Sequence, residues 1–405
     1  MKYDFTTFLD RKGKDSLAFD SVGMEEISIA PMAPDQGFDF IPMWVADMSF
    51  PTCPSIIKAI TDRASHPAFG YYLPSDKYYD AIINWHTKSH GFTDLTKEKI
   101  GYENGVHGLC TSVVQVLTQP GDYILLHSPV YVGYRSDVEA LGRKSIYSPL
   151  VLDEDGIWRM DYEDMDRKLK KYNIHLSIFC SPHNPSGRVW EKWELEKALE
   201  VYEKNDCYVI SDEIWCDIIM PGHTHTPMIT INDWAREHVI GAYAPSKTFN
   251  MAGLIGSYHI IYSKYLRDRI TKYGELTHYN EMNILSMHAL IGAYSDEGRI
   301  WKDELCSVLD ENIKWAVDKI RKDFKGVQVA IPEGTYMLFL DFSDYCKEKN
   351  VNIKNVLEAG WKVGVGWQDG RMFEGPRHIR MNLALPKDKM IEAFDRLQKY
   401  VLPLV

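Results

Sequence analysis

Short apolar runs alternate with amphipathic stretches from about residue 100 onward, which is the rhythm of an α/β fold. Apolar runs of this kind, too short for helices, are typical of buried parallel strands. The predicted strands are Asp122–His127, Leu176–Cys180, Cys207–Ser211 and His238–Tyr243. Between the second and third runs, residues 191–205 predict a crossover helix. Its predicted buried stripe is Trp193, Leu195, Ala198, Leu199 and Tyr202.

The pattern changes in the last third of the chain. A long helix-like stretch near residues 286–324 is followed by the apolar segment VQVAIPEGTYMLFLDF and a closing amphipathic segment. That closing segment repeats apolar residues at helical spacing: Met390, Ala393, Phe394, Leu397 and Val401. We therefore predict a large domain over residues 49–288. A smaller α+β domain is predicted from residues 1–48 and 289–405.

Composition excludes several classes of function. The 405 residues are 45% apolar and 25% charged, with a net charge of −11 and no acidic tail, so a nucleic acid partner is not expected. The seven cysteines lie far apart without a C-x-x-C pair or a Cys/His cluster, which predicts neither disulfides nor a metal site. No signal peptide or long apolar segment is recognisable, so no membrane partner is expected and we predict a cytoplasmic protein.

Four side chains that can carry chemistry follow the predicted strands: Tyr131, Asn184, Asp212 and Lys247. Each alone has a structural explanation, such as packing, a turn, a helix cap or a solvated amine. In an open parallel sheet, however, ligands collect at the carboxyl ends of the strands. A pyridoxal 5′-phosphate enzyme needs a lysine for the imine, a carboxylate for the pyridine nitrogen, a donor to the ring oxygen and an aromatic ring to stack. The combined pattern therefore favours a pyridoxal phosphate site.

An ordered set of motifs carries a resemblance over nearly the whole chain. They are PMWVADMSFPTCPSI (residues 42–56), FGYYLPSDKYYDAIINWH, ENGVHGL, SPHNPSGRVW, VISDEIWCDI, APSKTFNMAGL, PEGTYMLFLDF and RMNLALP. With these motifs the chain resembles fold type I pyridoxal phosphate enzymes of the aminotransferase class I/II superfamily. Within them it resembles the MalY/PatB family of cystathionine β-lyases, or C–S lyases. The resemblance implies a three-layer sandwich around a mostly parallel sheet, with a smaller α+β domain.

The implied activity is β-elimination of L-cystathionine, L-cysteine or other S-substituted cysteines to a thiol, pyruvate and ammonia. Lys247 would be the Schiff-base lysine and the base for the α-proton. Asp212 would pair with the pyridinium nitrogen, Asn184 and Trp215 would donate to the ring oxygen, and Tyr131 would stack on the ring.

The resemblance also implies which residues bind the cofactor phosphate and the substrate carboxylate. The phosphate would bind the amides of Gly105, Val106 and His107 and the hydroxyl of Ser246. Tyr71 would reach the site from a partner subunit, which implies a homodimer with active sites at the interface. Arg380 would bind the substrate carboxylate beside Asn184, with a structural ion pair as the alternative.

Departures from the family pattern bear on the reaction. Ile255 stands eight residues after Lys247, where many aminotransferases carry a phosphate-binding arginine, and this favours a lyase. Ser49 replaces an aspartate, Trp215 replaces tyrosine or histidine, and His107 replaces an apolar residue. His107 has two interpretations, either a direct ligand or a residue of which only the amide acts. An aminotransferase remains the alternative function, and a non-catalytic sensor is a third possibility.

Overall fold

The computed structural model describes residues 1–403. The strands, in chain order, are β1 Ile41–Pro42, β2 Ile100–Glu103, β3 Tyr123–Ser128, β4 Lys144–Pro149, β5 Val151–Leu152, β6 Trp158–Arg159, β7 Leu176–Cys180, β8 Tyr208–Asp212, β9 Val239–Tyr243, β10 Ser257–Ile260, β11 Gln328–Val329, β12 Met337–Asp341, β13 Val365–Gly366, β14 Gln368–Asp369 and β15 His378–Asn382. The helices are α1 Leu17–Asp20, α2 Pro54–Ala64, α3 Asp76–Ser89, α4 Gly105–Leu117, α5 Val132–Ala140, α6 Tyr162–Tyr172, α7 Lys192–Lys204, α8 Asp233–His238, α9 Lys264–Thr277, α10 Ile284–Ala293, α11 Asp296–Asp323, α12 Ser343–Lys349, α13 Ile353–Lys362 and α14 Lys387–Arg396.

A seven-stranded sheet in the order β2-β10-β9-β8-β7-β3-β4 forms the centre of the larger part. The pairs from β9 to β4 are parallel, and β10 runs antiparallel to both of its neighbours. The four strands predicted from the sequence are β3, β7, β8 and β9, each within one residue of its predicted ends. The predicted α/β class with a mostly parallel sheet is confirmed.

Helices cover both faces of this sheet, because its strands are apolar on both sides. Ile178 and Ile210 pack in one cluster with residues of α4 and α9, whereas Phe179 and Val209 pack in a second cluster with residues of α7. The result is the three-layer arrangement. The predicted stripe of α7 is buried at four positions, Leu195, Ala198, Leu199 and Tyr202.

Trp193 was wrongly placed on that stripe. It is 43% exposed, and its indole N–H donates to Glu191. Trp193 precedes Leu195 by two residues, which is a rotation of about 200° around a helix. The ring of Trp193 therefore lies on the opposite face.

The smaller part is built on the antiparallel sheet β11-β12-β15-β14, as expected for an α+β region. The five predicted apolar residues of the closing segment are all buried, although α14 ends at Arg396 and continues as a π-helical turn over Leu397–Val401. Strand β1 pairs in parallel with β13, which attaches the N-terminal segment to the C-terminal third of the chain. The domain limits at residues 48/49 and 288/289 stay a prediction. Among residues 1–403, none of the helices has both the length and the apolar character needed to cross a membrane.

Candidate active site

The carboxyl ends of the central parallel strands open on a cavity of about 300 Å3. Nine predicted site residues line this cavity: Gly105, Val106, His107, Tyr131, Asn184, Asp212, Trp215, Ser246 and Lys247. They come from the segments that follow β2, β3, β7, β8 and β9. Parallel strand direction brings these segments to one edge, although they are up to about 140 residues apart in sequence.

Lys247 lies in the turn after β9. Its Nζ donates to the carbonyl of Ala46 at 3.1 Å and lies 5.7 Å from the ring centre of Trp215. Loss of water contacts and the nearby positive charge of Arg380 lower the pKa of this amine to about 8. A substantial neutral fraction is therefore present close to physiological pH, which both nucleophilic attack and proton acceptance require.

Asp212 ends β8 as a buried carboxylate, 4% exposed. One oxygen accepts the hydroxyl hydrogen of Tyr134, and the other accepts the N–H of Ile214 at 3.0 Å. Burial raises the pKa of Asp212, while these two bonds act in the opposite direction. A carboxylate in this position gains from a cationic ligand in the cavity.

Tyr134 is a site residue that the sequence analysis missed. It lines the cavity, and its ring packs edge-on against Tyr131 with the ring centres 5.4 Å apart. Tyr131 is the N-cap of α5 and Tyr134 lies in its first turn, so the two side chains share one side of the helix start. The three-residue spacing of the tyrosines was the available signal.

Arg380, on β15 of the smaller sheet, is not among the residues that line the cavity, but it is hydrogen-bonded to Asn184, which does line it. Its Nη1 donates to Asn184 Oδ1 at 3.0 Å, and its Nη2 donates to the carbonyl of Trp44 at 2.9 Å and to Gln368 Oε1. Burial lowers the pKa of the guanidinium to about 10, so it stays charged at neutral pH. Within residues 1–403 no carboxylate pairs with Arg380, and its Nε is buried without a partner. Phe373 stacks 4.4 Å from the guanidinium carbon.

The start of α4 forms the anion-binding end of the cavity. Its N-cap residue, Asn104, makes no side-chain capping bond, so the first amides of the helix are available to a ligand. Gly105 has φ of 79°, a left-handed conformation that favours glycine. Ser246 adds a hydroxyl, whereas Ile255 brings an apolar side chain to the same wall.

The side chain of His107 also lies in this wall of the cavity. The interpretation in which only the amide of His107 acts did not include a contact of the side chain. Its Nδ1 lies 2.6 Å from Asp137 Oδ2, and its Nε2 lies 3.2 Å from the hydroxyl oxygen of Tyr131. Asp137 was not among the predicted site residues, because a carboxylate in the middle of an amphipathic helix carries no distinguishing signal.

Two other residues of interest lie outside the cavity. Tyr71 is fully exposed, at 111% of its reference surface, and does not line the cavity of its own chain. Its neighbours Phe69 and Leu73 are also exposed, at 58% and 87%. Ser49 is buried beside the smaller part, where its N–H donates to the carbonyl of Ala384 at 2.9 Å.

Comparison with known proteins gives a consistent result. The family model "Aminotransferase class I and II" matches residues 39–397. Cystathionine beta-lyase PatB of Bacillus subtilis is 35% identical over 335 residues, covering 81% of this chain and 86% of that protein. Protein MalY of Escherichia coli is 28% identical over 396 residues, covering 96% of both chains.

Solved structures share the fold over the full length. The C-S lyase from Staphylococcus hominis, solved with bound pyridoxal phosphate, superposes with a TM-score of 0.88 at 29% identity, covering 99% of this chain and 98% of that one. Cystalysin from Treponema denticola, which contains pyridoxal 5′-phosphate, gives a TM-score of 0.90 at 30% identity, covering 100% of both. The fold and the family expected from the motifs are thus confirmed. The chain belongs to the aminotransferase class I and II family and, within it, to the MalY/PatB family.

Proposed function

We propose that this protein is a pyridoxal 5′-phosphate-dependent β-lyase. It would convert L-cystathionine, L-cysteine or other S-substituted cysteines to a thiol, pyruvate and ammonia. The observation that carries the proposal is the pair Lys247 and Asp212, an amine of lowered pKa and a buried carboxylate that line one cavity. The relatives with this fold that are named as cystathionine or C–S lyases support the same reaction.

The residues of the cavity fit the cofactor. Asp212 is buried, and no ion pair to it forms within residues 1–403; the protonated ring nitrogen would supply a cationic partner. The uncapped amides at Gly105–His107, with the hydroxyl of Ser246, suit a phosphate group. Tyr131 offers a ring face and Asn184 an amide on the remaining walls.

Bound in this cavity, pyridoxal phosphate supplies a cationic ring that stabilises negative charge at the Cα of an attached amino acid. Asp212 keeps that ring protonated, since a nearby carboxylate favours the charged form. Lys247 holds the cofactor and then, as a free amine, accepts the Cα proton. Its lowered pKa of about 8 suits both roles.

Arg380 is the proposed site for the substrate carboxylate. The guanidinium is fixed by three acceptors, on Asn184, Trp44 and Gln368, and so it does not have to be ordered when substrate binds. Its Nε is a buried donor for which the described part of the chain offers no acceptor. A substrate carboxylate supplies one and also neutralises the buried charge.

An aminotransferase is the second candidate, because the same donors can serve both reactions. Ile255 favours the lyase, since it leaves the phosphate end without the cation expected of an aminotransferase. Trp215 does not separate the two candidates, because it differs from the tyrosine of aminotransferases and from the histidine of the lyases alike.

We further propose a homodimer in which Tyr71 of each chain completes the site of the other. The exposed apolar segment Phe69–Leu73 supports this arrangement, because such a patch is typical of a subunit interface. A cytoplasmic location is proposed from the seven cysteines, none of which forms a disulfide within the described chain.

The test is a product assay on purified protein. Incubation with L-cystathionine and no 2-oxo acid should release pyruvate, ammonia and a free thiol in equal amounts. Lys247→Ala should abolish both this release and the visible absorbance of bound cofactor. The exposed Lys264→Ala is the matched control and should change neither. Turnover that depends strictly on an added 2-oxo acid would instead establish the aminotransferase.

A further inference from the structure

His107 connects the start of α4 to α5 at the edge of the cavity. It is the third residue of α4, and its imidazole contacts two residues of the α5 region. Nδ1 lies 2.6 Å from Asp137 Oδ2, and Nε2 lies 3.2 Å from the hydroxyl oxygen of Tyr131. Both ring nitrogens therefore have a partner, and the tip of Tyr131 is fixed by one of them.

Gly133 leaves the space that this arrangement needs. A Cβ at position 133 would lie 2.0 Å from His107 Cε1 and 2.6 Å from Tyr131 Cε1, both far inside contact distance. The imidazole thus packs directly over the backbone of the first turn of α5. Any larger residue at this position would displace the rings of His107 and Tyr131.

We infer that His107 is a positioning residue for the cofactor: held by Asp137, its imidazole fixes the hydroxyl of Tyr131 and so holds the aromatic ring that faces the cavity. The inference rests on the proposed function, because it concerns the residue expected to stack on the cofactor. A second contact supports it, since the edge-on ring of Tyr134 restrains Tyr131 from the side. Tyr131 is thereby restrained at its tip and along one edge.

The charge of the imidazole is set by the groups around it. Asp137 on α5 raises the pKa of His107 by its hydrogen bond and its charge, and Asp212 at the end of β8 also raises it. Desolvation and Lys247, in the turn after β9, oppose the shift. Tyr131, on the other side of the ring, is neutral at physiological pH because burial raises its pKa.

A protonated imidazole donates from both nitrogens, whereas a neutral one that donates to Asp137 must accept from Tyr131. Because the folded pKa of His107 is raised, the charged form predominates below the ordinary value of 6.5 and is lost as the pH rises through the raised value. The hydrogen bond that holds Tyr131 should therefore be strongest at a pH below the raised pKa of His107, where the imidazole is protonated.

A double-mutant cycle on ligand affinity tests the inference. The probe is pyridoxamine 5′-phosphate, which has no aldehyde and so reports the non-covalent contacts, and its Kd for the apo protein is measured by equilibrium dialysis. His107→Leu and Tyr131→Phe should each weaken binding by about 3- to 10-fold, the effect of one lost hydrogen bond. Combined, they should weaken it by no more than either alone. Additive losses, or unchanged Kd values in the single variants, would overturn the inference.

Two further variants keep the test decisive if His107→Leu folds poorly. His107→Gln keeps a donor for Tyr131 without a titratable charge, so it should retain most of the affinity and lack the pH dependence expected of the wild type. Gly133→Ala should match His107→Leu, and the exposed Ser136→Ala on the same helix should leave the Kd unchanged. Failure of the wild type to bind the probe would contradict the proposed function, whereas normal binding with unaffected variants would contradict this inference alone.

Discussion

Replacing Arg380 with lysine should weaken substrate binding while keeping the positive charge. A guanidinium has five N–H donors, and three of them are used by Asn184, Trp44 and Gln368. The remaining two are available to a substrate carboxylate. A lysine ammonium has only three donors, the number that these protein acceptors already take. Arg380→Lys therefore leaves no donor for substrate, even where the shorter side chain reaches all three partners.

The expected loss can be estimated from one charge-assisted hydrogen bond. Such a bond is worth about 1.5–3 kcal/mol, so kcat/KM should fall by about 10- to 150-fold. The assay is pyruvate release from L-cystathionine near neutral pH, where Arg380 with its pKa of about 10 is charged. The loss should appear mainly in KM, because the interaction is present before and during the chemical step.

The matched control is Arg299→Lys. Arg299 also lies over an aromatic ring, with its guanidinium carbon 4.5 Å from the ring centre of Trp85. It donates to Ser89, which does not line the cavity, whereas Arg380 donates to Asn184, which does. This variant should keep KM within about 2-fold of the wild type, as expected for a change away from the site. An unchanged KM in Arg380→Lys, or an equal rise of KM in the control, would refute the assignment of the substrate carboxylate to Arg380.

Three other predictions concern the cofactor end of the site. Tyr134→Phe should lower the free energy of unfolding of the apo protein by about 1.5–3 kcal/mol near pH 7, because Asp212 loses a donor. Urea titrations at several pH values measure this loss of unfolding free energy. It should become smaller as the pH falls through the raised pKa of Asp212, because a protonated carboxyl needs the Tyr134 donor less. A loss of unfolding free energy that does not change with pH would contradict this prediction. The apo protein should capture pyridoxal 5′-phosphate faster as the pH rises, and the rate should level off above about pH 8, where Lys247 is mostly neutral. Stopped-flow absorbance measures this rate. A rate that still rises toward the ordinary lysine pKa would contradict the lowered pKa of Lys247. Gly105→Ala should weaken pyridoxamine 5′-phosphate binding by about 5- to 30-fold, the equivalent of about 1–2 kcal/mol of left-handed backbone strain; equal affinity would show that this turn does not bind the ligand.

The fold and the strand-end part of the site follow from local sequence. Each predicted strand is a buried apolar run, and the rule that parallel strands share one carboxyl edge is enough to bring Asn184, Asp212 and Lys247 together. No side-chain geometry was needed for that step, because strand direction fixes where the polar residues after each run must lie.

The site residues that the sequence analysis missed do not directly follow a predicted strand, so the strand pattern could not identify them. Tyr134, Asp137 and Gln368 reach the site only through the way α5 and the smaller sheet pack against the larger one. Helical periodicity describes which face of α5 is buried, and it does not say which residue of another element meets that face. The misplaced Trp193 shows the complementary error, since an aromatic residue near an apolar stripe was counted as part of it.

The bond between Arg380 and Asn184 fixes the polarity of one wall of the cavity. A guanidinium cannot accept a hydrogen bond, so the carboxamide must turn its oxygen toward Arg380 and keep its NH2 group for a ligand. Trp215, on the same cavity, is likewise a donor only. A ligand oxygen that carries no proton can accept hydrogen bonds from both groups. A ligand hydroxyl against the same two donors binds less well, because its own proton has no acceptor there. We therefore expect a pyridoxine-like compound to bind more tightly with its phenol ionised than with its phenol protonated, if that oxygen lies against Asn184 and Trp215.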